Sequence, residues 1–259
     1  LDTGRGFLVI GGLDASALSE GDAEIVGWAL CNYLGRPIRQ GIDHDRRLFT
    51  VADKGAANTD PTRIGASPER SRKHTDNGCL EPRPPDYLGL FCVRSATEGG
   101  DSTIISARTI YETIAAERPD ILPLLFKTYH FRAPQAHVWP SRGPTVQKPI
   151  LDASSGELRI HYARVMIEPG MEMAGTPLAA IERAALDYLD EVVERPELNF
   201  RHVLRPGQML VMNNRVLLHG REAFPPGTSG GRTLKRLWMW RRHIGPGDDP
   251  VALDLEELT

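Results

Sequence analysis

Short stretches of alternating or continuous apolar residues recur along this chain, punctuated by Gly-, Pro- and Ser-rich turns. Phe7–Ile10 is an apolar run closed by Gly11-Gly12 and predicts a strand. Tyr87–Ser95 and Ser102–Ser106 predict two more, separated by the turn Glu98-Gly99-Gly100-Asp101. Leu158–Glu168 alternates as a strand, and Phe200–Leu204, Gln208–Met212 and Thr233–Arg242 complete the set. Helical spacing marks residues 19–34, with Ser19 as N-cap and Gly35 as stop. It marks residues 177–193 more strongly, with Pro177 at the first helical position and a stop at Pro196. Residues 107–127 hold one or two short helices broken by Pro119 and Pro123. Two polar stretches, 53–73 and 128–150, read as long loops, the second carrying His130, His137 and Trp139. Long loops in compact domains are usually functional or disordered. Strands interleaved with a few helices, without regular β-α alternation, predict an antiparallel barrel or jelly roll with helical decoration.

Composition narrows this picture. The chain has 259 residues, 41% hydrophobic and 25% charged, which fits one globular domain spanning 1–259. A net charge of −3 argues against a partner held by bulk phosphate attraction, so no nucleic acid is expected. Cys31, Cys79 and Cys92 are too few and too scattered for a disulfide framework or a thiolate zinc site. They read as reduced thiols of a cytoplasmic protein. No apolar run has the length of a membrane span, so no membrane partner is expected. The opening LDTGRGFLVIGG lacks a signal pattern, although a chain that begins at Leu1 leaves a removed leader open. A homo-oligomer is compatible with everything above.

The candidate chemistry lies in four places. His74-Thr75-Asp76 is an H-x-D triplet, and in a strand residues two apart share a face and can reach one ion. With eight histidines and 34 acidic residues, one such triplet is expected by chance. The bland alternative is a surface histidine near a solvated acid. His219 ends an apolar run that follows Met209–Met212 and Asn213-Asn214; on its own it could equally be a satisfied core histidine. Arg232 and Arg236 share a strand face with Leu234, Trp238 and Trp240. Arginines among large apolar residues need anionic partners, since an unpaired buried charge is costly. The alternatives are a solvent-facing edge strand or a basic patch with interleaved tryptophans, which Arg241, Arg242 and His243 would fit better. Gly99-Gly100-Asp101-Ser102-Thr103 is by itself only a hairpin turn into a strand.

The order and spacing of these pieces carry more than any one of them. HTDN at 74–77, PDYLGLFCVRSATEGGDST at 85–103, LLHGREAF at 217–224 and GRTLKRLW at 231–238 resemble the taurine dioxygenase/TfdA (clavaminate-synthase-like) family of Fe(II)/2-oxoglutarate-dependent oxygenases. The resemblance runs from about residue 70 to 242, with a vaguer match at 6–13. It implies a double-stranded β-helix (jelly roll), mainly β with helices outside. It implies that His74, Asp76 and His219 are the ligands of one iron(II), two histidines and a carboxylate that leave three positions open. Arg232, thirteen residues past His219, would hold the distal carboxylate of 2-oxoglutarate, with Ser102 or its neighbour Thr103 supplying a hydroxyl. Arg236 would face an acidic group of the substrate, and Asn77 would be a further substrate contact.

The activity implied is oxidation of a small acidic molecule, an amino acid or natural-product intermediate, with O2 and 2-oxoglutarate as co-substrates. Hydroxylation leads, and desaturation, cyclisation or epoxidation would use the same residues. Asp76 fills the position that a glycine takes in halogenating relatives, so oxygenation rather than halogenation is implied. The rival class is a jelly-roll protein that binds metal or ligand without redox chemistry.

Overall fold

Two antiparallel sheets lie face to face, and helices cover their outer sides. The computed structural model describes residues 1–14, 18–40, 47–52, 69–78, 84–133, 143–225 and 231–241. In chain order these form β1 (Phe7–Ile10), α1 (Glu20–Leu34), β2 (Arg36–Ile38), β3 (Leu48–Ala52), β4 (Ser71–His74), β5 (Tyr87–Arg94) and β6 (Ser102–Ser106). There follow α2 (Ala107–Glu117), α3 (Leu122–Phe126), β7 (Thr128–Arg132), β8 (Thr145–Pro149), β9 (Leu151–Asp152), β10 (Arg159–Ile160) and α4 (Arg164–Met173). The chain closes with α5 (Ala180–Val193), β11 (Phe200–His202), β12 (Met209–Asn213), β13 (Leu217–Arg221) and β14 (Thr233–Trp240).

The larger sheet runs β1-β12-β5-β14-β2, with β3 also paired to β14; the smaller runs β11-β6-β13-β4. Strand alternation sorts the side chains. Leu88, Leu90, Met212, Leu234 and Trp238 of the larger sheet meet Ile104 and Leu217 of the smaller in one apolar layer. The opposite face of the larger sheet (Phe91, Met209, Val211, Leu237 and Met239) packs on α1 through Ala23 and Cys31. Ile105 and Leu218, on the outer face of the smaller sheet, pack with α2, α3, α4 and α5. Each such fully buried side chain contributes roughly 1.5–3 kcal/mol relative to exposure. The architecture is the expected jelly roll, with no closed barrel among the described residues.

α1 starts where the sequence expects: Ser19 Oγ accepts from the Asp22 N–H, and the Asp22 carboxylate accepts from the Ser19 N–H. One polar residue crosses the apolar contact between α1 and the sheet. Lys235 is 1% exposed, and its Nζ donates to Glu20 at 2.8 Å, Glu24 at 2.7 Å and Thr50 at 2.9 Å, which satisfies all three of its donors.

Several expectations change. The turn at 98–101 is no hairpin: β5 and β6 belong to different sheets, and the turn carries the chain across from one to the other. Residues 128–150 are not one loop, because β7 and β8 pair from Thr128↔Pro149 to Arg132↔Thr145; His137 and Trp139 lie outside the described residues. Of the loop expected at 53–73, residues 53–68 also lie outside them, and Ser71–His74 is strand. Leu158–Glu168 is not a strand beyond Arg159–Ile160. From Arg164 it is helix, despite Pro169-Gly170 inside it. Packing explains this: Gly170 lies so close to β7 that a Cβ there would stand 2.3 Å from the His130 carbonyl oxygen. α5 begins at Ala180, so Pro177 precedes the helix instead of opening it; the Glu182 carboxylate accepts from the Ala179 N–H at 2.8 Å.

Candidate active site

β4 and β13 are neighbours, and their register sets His219 directly opposite His74. Directly opposed residues of an antiparallel pair share a face. The rings accordingly meet with centroids 4.4 Å apart. Asp76 arrives differently from the expected strand alternation. β4 ends at His74, and a turn over residues 76–78 brings the carboxylate back to the imidazoles. Asn77 in that turn has φ 48°, the only non-glycine residue with positive φ among the described residues. Asn tolerates this region better than most residues.

A second asparagine fixes the turn. Asn214 Oδ1 accepts from the Asp76 N–H at 2.9 Å, and Asn214 Nδ2 donates to the Asp76 carbonyl at 2.8 Å and the Pro85 carbonyl at 3.1 Å. The buried Asn214 amide thus imitates a strand partner for the main chain of Asp76. Thr75 is held from the other side, its N–H donating to the Tyr162 carbonyl and its Oγ1 accepting from the Tyr162 N–H.

His74, Asp76 and His219 each offer a ligand atom, all within 4.8 Å of one another, the one such group among the described residues. The Asp76 Oδ1 lies 3.2 Å from His74 Nε2 and 3.6 Å from His219 Nε2. His74 Nδ1 lies 2.8 Å from the Arg72 carbonyl, which can only accept, so the proton sits on Nδ1 and Nε2 presents a lone pair. Burial, then the charge of His74, push His219 down to about 3, so its ring is neutral near pH 7. Burial alone would raise the Asp76 carboxyl. The Arg236 guanidinium outweighs it and holds the group well below the usual carboxylate range. The Nε2 atoms of both imidazoles and the Asp76 carboxylate, with His219 neutral and Asp76 ionised, are therefore turned toward one point. That donor set fits a divalent first-row metal.

The expected co-substrate residues lie on this inner face with one exception. Register sets Ser102 opposite Arg221 and Ile104 opposite His219, which turns buried Ser102 toward the metal-side layer. Thr103 opposes Gly220 instead, and its Oγ1 would lie 3.2 Å from a Cβ on Gly220. It is turned to the outer side with Lys73, so of the two hydroxyls only that of Ser102 is on the inner face. Arg232 is 6% exposed, and among the described residues no protein carboxylate pairs with it. Burial, with Arg221 nearby, pulls its guanidinium down to about 10. The Gly99-Gly100 pair builds its seat. Both have positive φ, the Gly100 N–H donates to the Ala223 carbonyl at 3.1 Å, and a Cβ on Gly100 would lie 3.1 Å from Arg232 Cδ.

Arg236 shares the inner face as expected, yet it is turned to the protein. Its Nη1 donates to Asp76 Oδ2 at 3.1 Å and its Nε to Gln40 Oε1 at 2.9 Å. Trp238 Nε1 donates to the same Oδ2 at 2.7 Å. The roles of Trp238, Gln40 and Asn214 do not follow from the spacing of the motifs. The only sequence signals are a tryptophan on the face of the two arginines and two asparagines between apolar runs.

The family model described as taurine catabolism dioxygenase TauD, TfdA family, matches residues 2–238. FR-33289 synthase of Streptomyces rubellomurinus is 27% identical over 246 residues, covering 92% of this chain and 70% of that protein. Asparagine oxygenase, solved with Fe(II), hydroxyasparagine and succinate, superposes with a TM-score of 0.72 at 20% identity, over 91% of this chain and 74% of its own. The non-heme iron oxygenase OrfP, solved with Fe and alpha-ketoglutaric acid, gives 0.67 at 19% identity, over 91% and 75%. The chain belongs to the TauD/TfdA family of Fe(II)/2-oxoglutarate-dependent dioxygenases.

Proposed function

We propose that this dioxygenase hydroxylates a small polar molecule of the amino-acid or natural-product class. His74, Asp76 and His219 hold the iron, and Arg232 with Ser102 holds the distal carboxylate of 2-oxoglutarate. The observation that carries this is the convergence of three lone-pair donors within 4.8 Å on the layer that also buries Arg232 without a protein acid. A buried guanidinium in that state calls for an anion, and a carboxylate matches its fork of donors. A protein that bound metal alone would have no use for such a seat.

Bound iron, 2-oxoglutarate and oxygen would supply the oxidation, with 2-oxoglutarate leaving as succinate and carbon dioxide. The chain supplies the rest. The two imidazoles and Asp76 Oδ1 would hold the metal. Arg232 orients 2-oxoglutarate by its far end. The apolar layer around Ile104, Leu234 and Trp238 excludes water from the reacting volume. Asn77, in the turn beside Asp76, is proposed as a substrate contact.

FR-33289 synthase and asparagine oxygenase support the amino-acid or natural-product class. Arg236 is committed to Asp76 and Gln40, so an anionic group on the substrate would need another cation. The substrate is therefore small and polar, and not necessarily acidic. Succinate release with a panel of free amino acids and their N-acylated derivatives tests this, scored against release with 2-oxoglutarate alone. A member of the panel that accelerates succinate release and gains one oxygen atom supports the proposal. Succinate release that no member of a wide panel changes, with a nucleotide or a lipid succeeding instead, overturns the substrate class.

A further inference from the structure

The carboxylate of Asp76 has two oxygens with different surroundings. Oδ1 faces His74 and His219. Oδ2 accepts from Trp238 Nε1 at 2.7 Å and from Arg236 Nη1 at 3.1 Å. Resting on the metal-site reading above, we propose that Trp238 and Arg236 are positioning residues. They occupy Oδ2 and so make Asp76 a ligand through one oxygen only.

The donors are suited to the task. A buried indole N–H needs an acceptor, and a carboxylate oxygen gives it a charge-assisted bond. The guanidinium is held by two further kinds of contact. It lies 5.1 Å from the Phe49 ring centroid and 4.8 Å from that of Trp238, and its Nε is held by Gln40. Gln40 in turn donates from Nε2 to the carbonyl of Arg236 at 2.7 Å and to that of Arg47 at 2.9 Å. For Arg236 to swing toward a substrate it would have to leave Asp76, Gln40 and both rings together.

The chemical consequence concerns the number of open positions on the metal. A carboxylate free to chelate through both oxygens would take one of the three positions that a bidentate co-substrate and oxygen require. With both main-chain groups of Asp76 held by Asn214, and Oδ2 by Trp238 and Arg236, Oδ1 is the only acceptor of this residue left to the metal.

The test uses Co(II), whose visible absorption reports coordination number, added without oxygen to the wild-type chain and to Trp238→Phe, Arg236→Gln and Arg236→Lys. Thermal unfolding of each metal-free protein is the fold control. The wild type should bind one Co(II) per chain. Trp238→Phe and Arg236→Gln should bind it roughly 10- to 100-fold more weakly, the usual size for a lost outer-shell partner. Their Co(II) spectra should also move toward higher coordination, and Arg236→Lys should recover part of both effects. If Trp238→Phe does not fold, the two Arg236 variants carry the test. Wild-type affinity and an unchanged spectrum in every folded variant would overturn the positioning role while leaving the metal site standing. A wild-type chain that binds no more Co(II) than His219→Ala would overturn the metal site and this inference with it.

Discussion

His219 stands directly across the β4–β13 ladder from His74, so one register places both imidazoles on the same point. A slip of one residue would turn His219 to the outer face. Replacing either histidine with alanine should therefore abolish tight binding of a divalent metal with little loss of fold, because neither ring is part of the apolar layer. Equilibrium dialysis against Mn(II) or Co(II), beside a thermal melt of the metal-free protein, checks this. Undiminished stoichiometric binding to His219→Ala would show that the metal sits elsewhere.

Arg232→Gln should raise the 2-oxoglutarate requirement far more than that of the primary substrate. Losing one partner of a buried, hydrogen-bonded charge pair costs roughly 2–5 kcal/mol, about 30-fold or more in affinity. Titrating 2-oxoglutarate against the Mn(II)-loaded protein measures it. Equal losses for 2-oxoglutarate and substrate would instead mark Arg232 as a structural residue.

The seat of Arg232 gives a sharper expectation at the glycines. A Cβ on Gly99 would stand 2.3 Å from the Ala223 carbonyl oxygen, and φ there is +67°. Gly99→Ala should destabilise the fold by about 1–2 kcal/mol or more. At Gly100 the added atom would meet Arg232 itself at 3.1 Å. Gly100→Ala should therefore weaken 2-oxoglutarate binding as well as stability. An alanine at 100 that leaves the 2-oxoglutarate titration unchanged would separate the turn from the co-substrate seat.

The two neighbouring hydroxyls separate in the same titration. Ser102→Ala should weaken 2-oxoglutarate binding by roughly 10- to 150-fold, the worth of one hydrogen bond to a charged group. Thr103→Val, on the outer side, should leave it within about 2-fold. The reverse ranking would return the role to Thr103.

This division shows how the sequence could be read and where it stopped. That His74, Asp76 and His219 come together, with Arg232 buried on the same layer, was legible because each sits in a short motif whose order and spacing survive as text. The longer strands were legible from their apolar runs, as in Tyr87–Arg94 and Thr233–Trp240, whereas β2 and β3 of the same sheet were not expected. What stayed hidden depends on tertiary contact. Pro169-Gly170 reads as a break, yet the chain stays helical there because Gly170 admits the backbone of β7. The 98–101 turn reads as a hairpin because nothing local says that its two strands belong to different sheets. Arg236 reads as an anchor for an acidic substrate because its partner, Asp76, lies 160 residues earlier, in the turn after β4.

Acid should weaken the metal-free fold through His219. Its pKa falls from an ordinary 6.5 to about 3 on folding. Across that window the unfolded chain carries a proton that the folded chain lacks, so stability rises with pH. The contribution amounts to about 2 kcal/mol between pH 7 and pH 5. Denaturant unfolding of the chelator-treated protein at the two pH values should show it, and His219→Asn should lose that part. An identical pH dependence in the variant would mean that His219 is not buried as a neutral ring.

The most direct test of the site is anaerobic addition of 2-oxoglutarate to the Fe(II)-loaded protein, followed by visible absorption. Chelation by the 2-oxo acid produces a charge-transfer band that neither component gives alone. The band should appear at one equivalent of iron in the wild type, require far more 2-oxoglutarate in Arg232→Gln, and be absent in His219→Ala. No band in the wild type at saturating 2-oxoglutarate, or an equal band in His219→Ala, would contradict the assignment of His74, Asp76, His219 and Arg232 to a single iron and 2-oxoglutarate site.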